Sequence, residues 1–170
     1  VTEPQSPEFP IPEKYGILLR GHFLLQSLRH SAYYVDKKIL YTYPHLTSDL
    51  CFNLAGEVAH RSAKSSLPEV DFVVAPEKGG IVLAQWLAYY LEEMYQKTVR
   101  AVYTEKGQMH HQYLRGSYKS EVVGKNVLAA DDVLTRGETL KQVMQYLRDV
   151  GSNVVAGAGL FDRSVNGMPN

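Results

Sequence analysis

Two adjacent acids, Asp131 and Asp132, followed within seven residues by Thr135, Gly137 and Thr139, are the part of this 170-residue chain best suited to chemistry. A pair of carboxylates can hold the hydroxyls of a sugar or meet a metal ion. A Thr/Gly turn that opens a helix presents backbone N–H groups and hydroxyls to a phosphate dianion, at the positive end of the helix dipole. The acids follow the apolar run Val127, Leu128, Ala129, Ala130, which reads as a buried parallel strand. They therefore fall at a strand's carboxyl end, where open α/β sheets bind ligands. The plainer reading, acids that only end a strand and cap the next helix, fits the Asp-Asp pair alone. It fits less well with Val133, Leu134, Thr135, Arg136, Gly137, Glu138 and Thr139 behind it.

A second phosphate-type turn follows an earlier strand. In the run Val73, Val74, Ala75, Pro76, Glu77, Lys78, Gly79, Gly80, the glycines let the backbone approach a ligand just where a helix begins. A Gly-Gly helix start is common and weak by itself. One βα unit away from the acids it becomes informative, because two such turns can hold the two phosphate ends of one sugar.

These residues need elements to position them. The periodicity predicts a short helix over residues 13–20, β-rich text over 21–36, and a helix opened by Pro44 that runs to about Lys64 with Leu46, Leu50, Leu54 and Val58 on its apolar face. Strands are expected at 71–75, 99–103, 127–130 and 154–161, and helices at 80–95 and from about Gly137 to Val150, with Gly151 as a stop. Alternation of strand and helix implies an α/β fold with an open, parallel, twisted sheet flanked by helices. Between Tyr103 and Asn126 lie more than twenty residues with weak strand signals at 112–118. A connection of that length in a compact domain reads as a lid or binding segment.

Composition bounds the function. With 45% hydrophobic and 21% charged residues the chain can bury one full core. Eighteen basic and eighteen acidic residues cancel, which argues against a nucleic-acid or anionic-membrane partner. A single cysteine, Cys51, excludes an internal disulfide framework, and no apolar run nears the roughly 20 residues of a membrane span. Residues 1–12 hold four prolines and two glutamates, so they read as a flexible leader with no signal-peptide core, and a cytoplasmic location is expected.

The strand, paired acids, two apolar residues and Thr/Gly loop resemble the phosphoribosyl pyrophosphate motif of the type I phosphoribosyltransferases. Residues 21–36, with Phe23, Ser27, Ser31, Tyr33 and Tyr34, are similar to the N-terminal hood of the orotate enzymes in that family, and Leu160, Phe161, Asp162 and Arg163 resemble their last core strand. The resemblance implies one phosphoribosyltransferase domain over residues 13–170, with a small hood at about 13–40 and a mobile loop at about 105–120. It implies transfer of phosphoribose from phosphoribosyl pyrophosphate to orotate. Asp131 and Asp132 would hold the ribose, and residues 133–139 the 5-phosphate. Lys78, Gly79 and Gly80 would take the pyrophosphate, and Tyr34, Val35, Thr135 and Arg163 the orotate. Lys106 and His111 would reach in from the neighbouring chain of a homodimer. Mg²⁺ would be carried mainly by the substrate, with no direct protein ligand.

The chain also departs from the family pattern. Glu105 and Met109 stand where the loop carries basic residues, which leaves Arg115 or Lys119 as substitutes. Gln26 replaces a frequent lysine, Leu28 the hood glycine, and Glu138 a small residue of the phosphate loop. A phosphoribosyltransferase for another nucleobase, and a regulator that binds the donor without turnover, remain the other readings.

Overall fold

The structure, a computed structural model, describes residues 15–24, 30–64, 66–108 and 111–162. It divides into two units, Val1–Pro44 and His45–Asn170.

In the first unit β1 (Leu18–Leu24) and β2 (His30–Val35) pair antiparallel, with a register shift between Arg20 and Phe23, and α1 (Lys37–Leu40) follows. Asp36 caps that helix by accepting from the amides of Lys38 and Ile39 at 3.0 and 3.4 Å. The two-stranded hairpin fits the small hood expected from the sequence. The helix expected over residues 13–20 is corrected where it is described: Leu18, Leu19 and Arg20 are strand, paired with Val35, Tyr34 and Tyr33. Gly16, at φ 65°, turns the chain out of helical geometry just before them, so cross-strand pairing prevails over local propensity.

The second unit runs α2 (Pro44–Ala63, its first residue in the first unit), β3 (Phe72–Pro76), α3 (Gly79–Tyr95), β4 (Arg100–Lys106), β5 (Gln112–Tyr113), α4 (Gly116–Val122), β6 (Asn126–Leu134), α5 (Glu138–Asp149) and β7 (Asn153–Asp162). Its five-stranded sheet has the order β5-β4-β3-β6-β7, with β5 antiparallel at one edge and the other four strands parallel. Strand alternation divides the core. Val73, Ala75, Leu128 and Ala130 pack on one face with Leu83, Leu87 and Leu91 of α3 and Cys51, Ala55 and Val58 of α2. Phe72, Val74, Val102, Val127 and Ala129 pack on the other with Val122 of α4 and Leu140, Val143 and Leu147 of α5. Each fully buried Val or Leu contributes about 1.5–3 kcal/mol. Burial also pushes the Cys51 thiol up to about 12, which leaves it an inert core side chain.

Three expectations change. The buried stripe of α2 is Thr47, Cys51, Ala55 and Val58, while Leu46, Leu50 and Leu54 are only half-buried. The buried stripe has nearly the same spacing but is displaced by one residue, about 100° around the helix, where small side chains allow the closer approach. Strand β6 continues four residues beyond Ala130, because β7 goes on pairing with it to Leu134↔Asp162; Asp131 and Asp132 therefore lie within the strand. In the long connection, only residues 112–113 of the weak strand signal are strand, and α4 begins at Gly116.

Asp71 ties the amino ends of three strands together. Its carboxylate accepts from the Asn126 amide at 2.9 Å and the Lys97 ammonium at 3.2 Å, while its carbonyl accepts from the Arg100 amide at 3.0 Å. Burial raises the carboxyl's pKa, but the Asn126 amide and Lys97 outweigh it and hold Asp71 below its ordinary range. A depressed folded pKa stabilises wherever the group is ionised, and that stabilisation is lost as pH falls through the folded value. Asp71→Ala is expected to cost about 1–2 kcal/mol at neutral pH, allowing for partial exposure. In urea melts across pH, the gap to the wild type closes on the acid side; a constant gap at all pH values would remove the carboxylate from the explanation.

Candidate active site at the strand-order reversal

Strand β3 stays paired with β4 through Pro76↔Thr104, but its pairing with β6 stops at Val74↔Ala129. Past that point β6 is held by β7 alone. The chain leaves β3 through α3 toward one face of the sheet and leaves β6 through α5 toward the other. A crevice at the carboxyl edge, where the strand order reverses, is the position at which open α/β sheets take ligands.

Asp131 and Asp132 stand on the β6 side of that crevice, at 9% and 1% exposure. Successive strand residues face opposite ways, so the pair addresses both sides of the sheet edge. Asp131 Oδ1 accepts from the Asp132 amide at 2.9 Å. Leu134 turns into the core. A Cβ added to Gly159 would lie 2.5 Å from Leu134 Cδ1, so the glycine on β7 makes room for that side chain. What Leu134 offers a ligand is its backbone.

The turn after β6 has a backbone geometry that suits an anion. Thr135 and Arg136 are exposed, and Gly137, at φ 66°, adopts the left-handed conformation that brings the chain directly into α5. No side chain caps α5, so its first-turn amides point outward at the positive end of a twelve-residue helix. Glu138 does not spoil this site: its side chain is 70% exposed and lies 3.7 Å from the Arg136 guanidinium.

Across the crevice, Lys78 is exposed, Gly79 opens α3 without a side-chain cap, and Gly80 is buried. The Glu77–Lys78 peptide is cis. Gly80 has a packing reason to be glycine, since a Cβ there would lie 2.8 Å from Ala75 Cβ and 3.2 Å from the Ala75 carbonyl carbon. It lets α3 start hard against β3.

The end of β4 is fastened to this turn. The Glu77 amide donates to the Thr104 carbonyl at 2.9 Å, and the Lys106 amide donates to Glu77 Oε1 at 3.1 Å. Lys106 and His111 are exposed, with the Gly107 amide donating to the His111 carbonyl at 2.8 Å across the β4–β5 turn. Glu105 and Arg115, read from the sequence as a lost and a substitute cation, prove to be partners. Glu105 accepts from Arg115 Nε at 2.5 Å, from Arg115 Nη2 at 3.3 Å and from the Tyr113 hydroxyl at 2.8 Å. Arg115, and after it the Tyr113 hydroxyl, hold the Glu105 carboxyl below its ordinary range. Sequence reasoning also missed the buried pair in which Thr104 Oγ1 donates to Gln112 Oε1 at 2.6 Å. Only the β4–β5 register, Glu105↔Tyr113 and Lys106↔Gln112, makes these pairs visible.

Lys78, Gly79, Gly80, Lys106, Asp131, Asp132 and the 133–139 segment thus share one sheet edge. Tyr34 (39% exposed) and Val35 (buried) lie on β2 of the first unit. Arg163, Met109, His110, Gln26, Leu28 and the 1–12 leader lie outside the described residues.

Such a sheet, with acids at the order reversal and phosphate-type turns on both sides, defines a sugar-phosphate-binding α/β protein. Residues 53–170 match the phosphoribosyl transferase domain family. The chain is 32% identical over 154 residues to the orotate phosphoribosyltransferase of Thermotoga maritima, covering 91% of this chain and 74% of the relative. To that of Parvibaculum lavamentivorans it is 33% identical over 152 residues, covering 89% and 72%. The crystal structure of orotate phosphoribosyltransferase from Aeropyrum pernix superposes with a TM-score of 0.63 at 27% identity, over 92% of this chain and 80% of that one. The chain belongs to the phosphoribosyltransferase family, among the orotate phosphoribosyltransferases.

Gly80→Ala is expected to lose about 1–3 kcal/mol, because the new methyl overlaps β3. Gly116, also at a helix start but with nothing within 4 Å of an added Cβ, serves as the control. Gly116→Ala is expected to be neutral or slightly stabilising, and denaturant melts that rank the two equally would contradict the packing account.

Proposed function

We propose that the crevice between β3 and β6 carries the transfer of phosphoribose from phosphoribosyl pyrophosphate to orotate, giving orotidine 5′-monophosphate and pyrophosphate. The observation that carries this reading is the continuity of β6. One strand delivers two buried carboxylates and then, through Gly137, the uncapped first turn of α5. Diol and 5-phosphate are then held by a single segment, with Asp131 and Asp132 on the ribose hydroxyls and residues 133–139 on the phosphate. Lys78, Gly79 and Gly80 take the pyrophosphate from the other side. Thr135 borders the base, and Arg163, next in sequence after β7, pairs with the orotate carboxylate, a match of planar fork to carboxylate. Tyr34 and Val35 are the base contacts that the resemblance implies from the first unit.

Departure of pyrophosphate leaves cationic character on the sugar, an oxocarbenium-like transition state. The charge of orotate lies on its carboxylate, so the attacking ring nitrogen gives up its own proton as its bond to the anomeric carbon forms, and the departing diphosphate is the acceptor at hand. The protein's work is to align the ring nitrogen with the anomeric carbon, exclude water and neutralise the departing diphosphate. Asp131 and Asp132 offer hard oxygen donors of the kind Mg²⁺ takes. In this reading the ion is carried mainly by the substrate's own oxygens. That ion would supply charge neutralisation on the diphosphate.

A homodimer, with Lys106 and His111 reaching the neighbouring chain's site, belongs to the same proposal. An exposed aromatic group supports self-association: Phe52 and Tyr89 are 51% and 52% exposed, and both ring-pack against Tyr90, at 5.3 and 5.2 Å. No helix among the described residues is long and apolar enough to cross a membrane. A neutral net charge accords with small-molecule substrates. A cytoplasmic setting belongs to the same proposal.

The test follows the loss of orotate absorbance with phosphoribosyl pyrophosphate and Mg²⁺ present. Wild type is expected to turn over. Asp132→Asn and Arg163→Ala are each expected to fall about a hundredfold in kcat/KM, the range typical of a lost transition-state contact. Turnover of purines but not orotate would overturn the assignment of the base.

A further inference from the structure

The carboxyl edge holds two carboxylates, Glu77 and Glu105, close to the turn assigned to the donor's diphosphate. Uncompensated, they would oppose an anion bearing several negative charges. Glu105 is compensated in a particular way. Arg115 meets it side-on, through Nε and Nη2, and this geometry spends one N–H on each nitrogen. A guanidinium has five N–H donors, so its Nη1/Nη2 edge keeps a fork directed away from the carboxylate. The Arg115 side chain is 68% exposed, so that outer edge is accessible.

The pair is also held in position. Glu105 lies one residue before Lys106, whose amide is bonded to Glu77, and Glu77 in turn is bonded to the Thr104 carbonyl. Tyr113, opposite Glu105 on β5, donates to the same carboxylate and fixes its rotamer. Arg115 sits at the start of α4, where the chain leaves the hairpin. A long side chain that would otherwise sample many rotamers is thus ordered at the edge that carries Lys78, and ordering it beforehand lowers the entropy lost when it binds.

We propose that Arg115 is a diphosphate-binding cation of this chain, and that Glu105, steadied by Tyr113, is the positioning residue that presents it. This assignment rests on the donor reading given above. It makes Glu105 useful at a place where a carboxylate alone would repel the ligand.

A double-variant cycle separates this from the two simpler roles, a hairpin staple or a neutraliser of Glu105. The variants are Arg115→Ala, Arg115→Lys, Glu105→Ala and the Glu105→Ala/Arg115→Ala pair. Each is assayed for kcat and for KM of both substrates, for pyrophosphate binding by calorimetry, and for thermal melting. The proposal expects Arg115→Ala to lose about tenfold or more in kcat/KM for phosphoribosyl pyrophosphate, with the orotate KM unchanged. Arg115→Lys recovers only part, lacking the fork. Glu105→Ala loses less than Arg115→Ala, and the double variant matches Arg115→Ala.

Recovery to wild-type turnover in the double variant would overturn the proposal, since Arg115 would then serve only to cancel Glu105. A lowered melting temperature with unchanged KM and pyrophosphate affinity would likewise overturn it. Should wild type fail to use orotate while Arg115→Ala still weakens pyrophosphate binding, the reading of the base falls and the cation assignment stands.

Discussion

The parting of β6 from β3 after Val74↔Ala129 is the constraint on which the rest of the second unit depends. Up to that register the two strands share a ladder, and both faces of the sheet are sealed by helices. Beyond it, β3 still holds β4 and β6 still holds β7, so two rigid strand pairs diverge around a gap. Backbone groups that face such a gap have lost their ladder partners and must find others, a condition that a polar ligand can meet. Because the pairs on either side remain intact, the gap is walled by the stiffest part of the fold. Residues on such walls keep their geometry far better than residues on a free loop.

In the proposed site, most of the anion handling falls to the backbone. The chain has no net charge, and its phosphate-type turns hold few cations: Lys78 on one side and Arg136, engaged with Glu138, on the other. What the turns offer is the amide-rich start of a long helix, α3 in one case and α5 in the other. A helix start attracts anions without placing a fixed full charge in the site, so the site does not need to bury an unpaired cation when empty. Glycine is required for different reasons on the two sides. Gly137 adopts a left-handed conformation, whereas Gly80 removes a side chain that would collide with β3.

The end of β4 shows how charge at one position depends on a partner in another strand. Read alone, Glu105 is a carboxylate where the resemblance calls for a base. In the hairpin it is one corner of a three-residue arrangement with Tyr113 and Arg115, tied through Lys106 and Glu77 to the turn that opens α3. Arg115 lies ten residues further along the chain, and the antiparallel pairing of β5 brings it back beside β4, where it meets Glu105.

Local pattern by itself determines a good part of this protein. Apolar runs at 72–75 and 127–130 marked the two central strands because a strand buried on both faces has no polar positions. Asp131, Asp132, Thr135, Gly137 and Thr139 are legible as one strand–turn–helix segment because adjacent residues in such a unit need no tertiary partner to fix their spacing. The family resemblance was legible for the same reason. Tertiary structure decided whatever depended on contact between distant segments. β7 pairing extended β6 through the acids, and the hairpin register joined Glu105 to Arg115. Gly80 and Gly159 are dictated by the backbone and side chain lying against them, and the buried stripe of α2 fell on Thr47, Cys51 and Ala55 in place of three leucines. Those outcomes are set by which surfaces meet and how closely, and no local period in the chain encodes that.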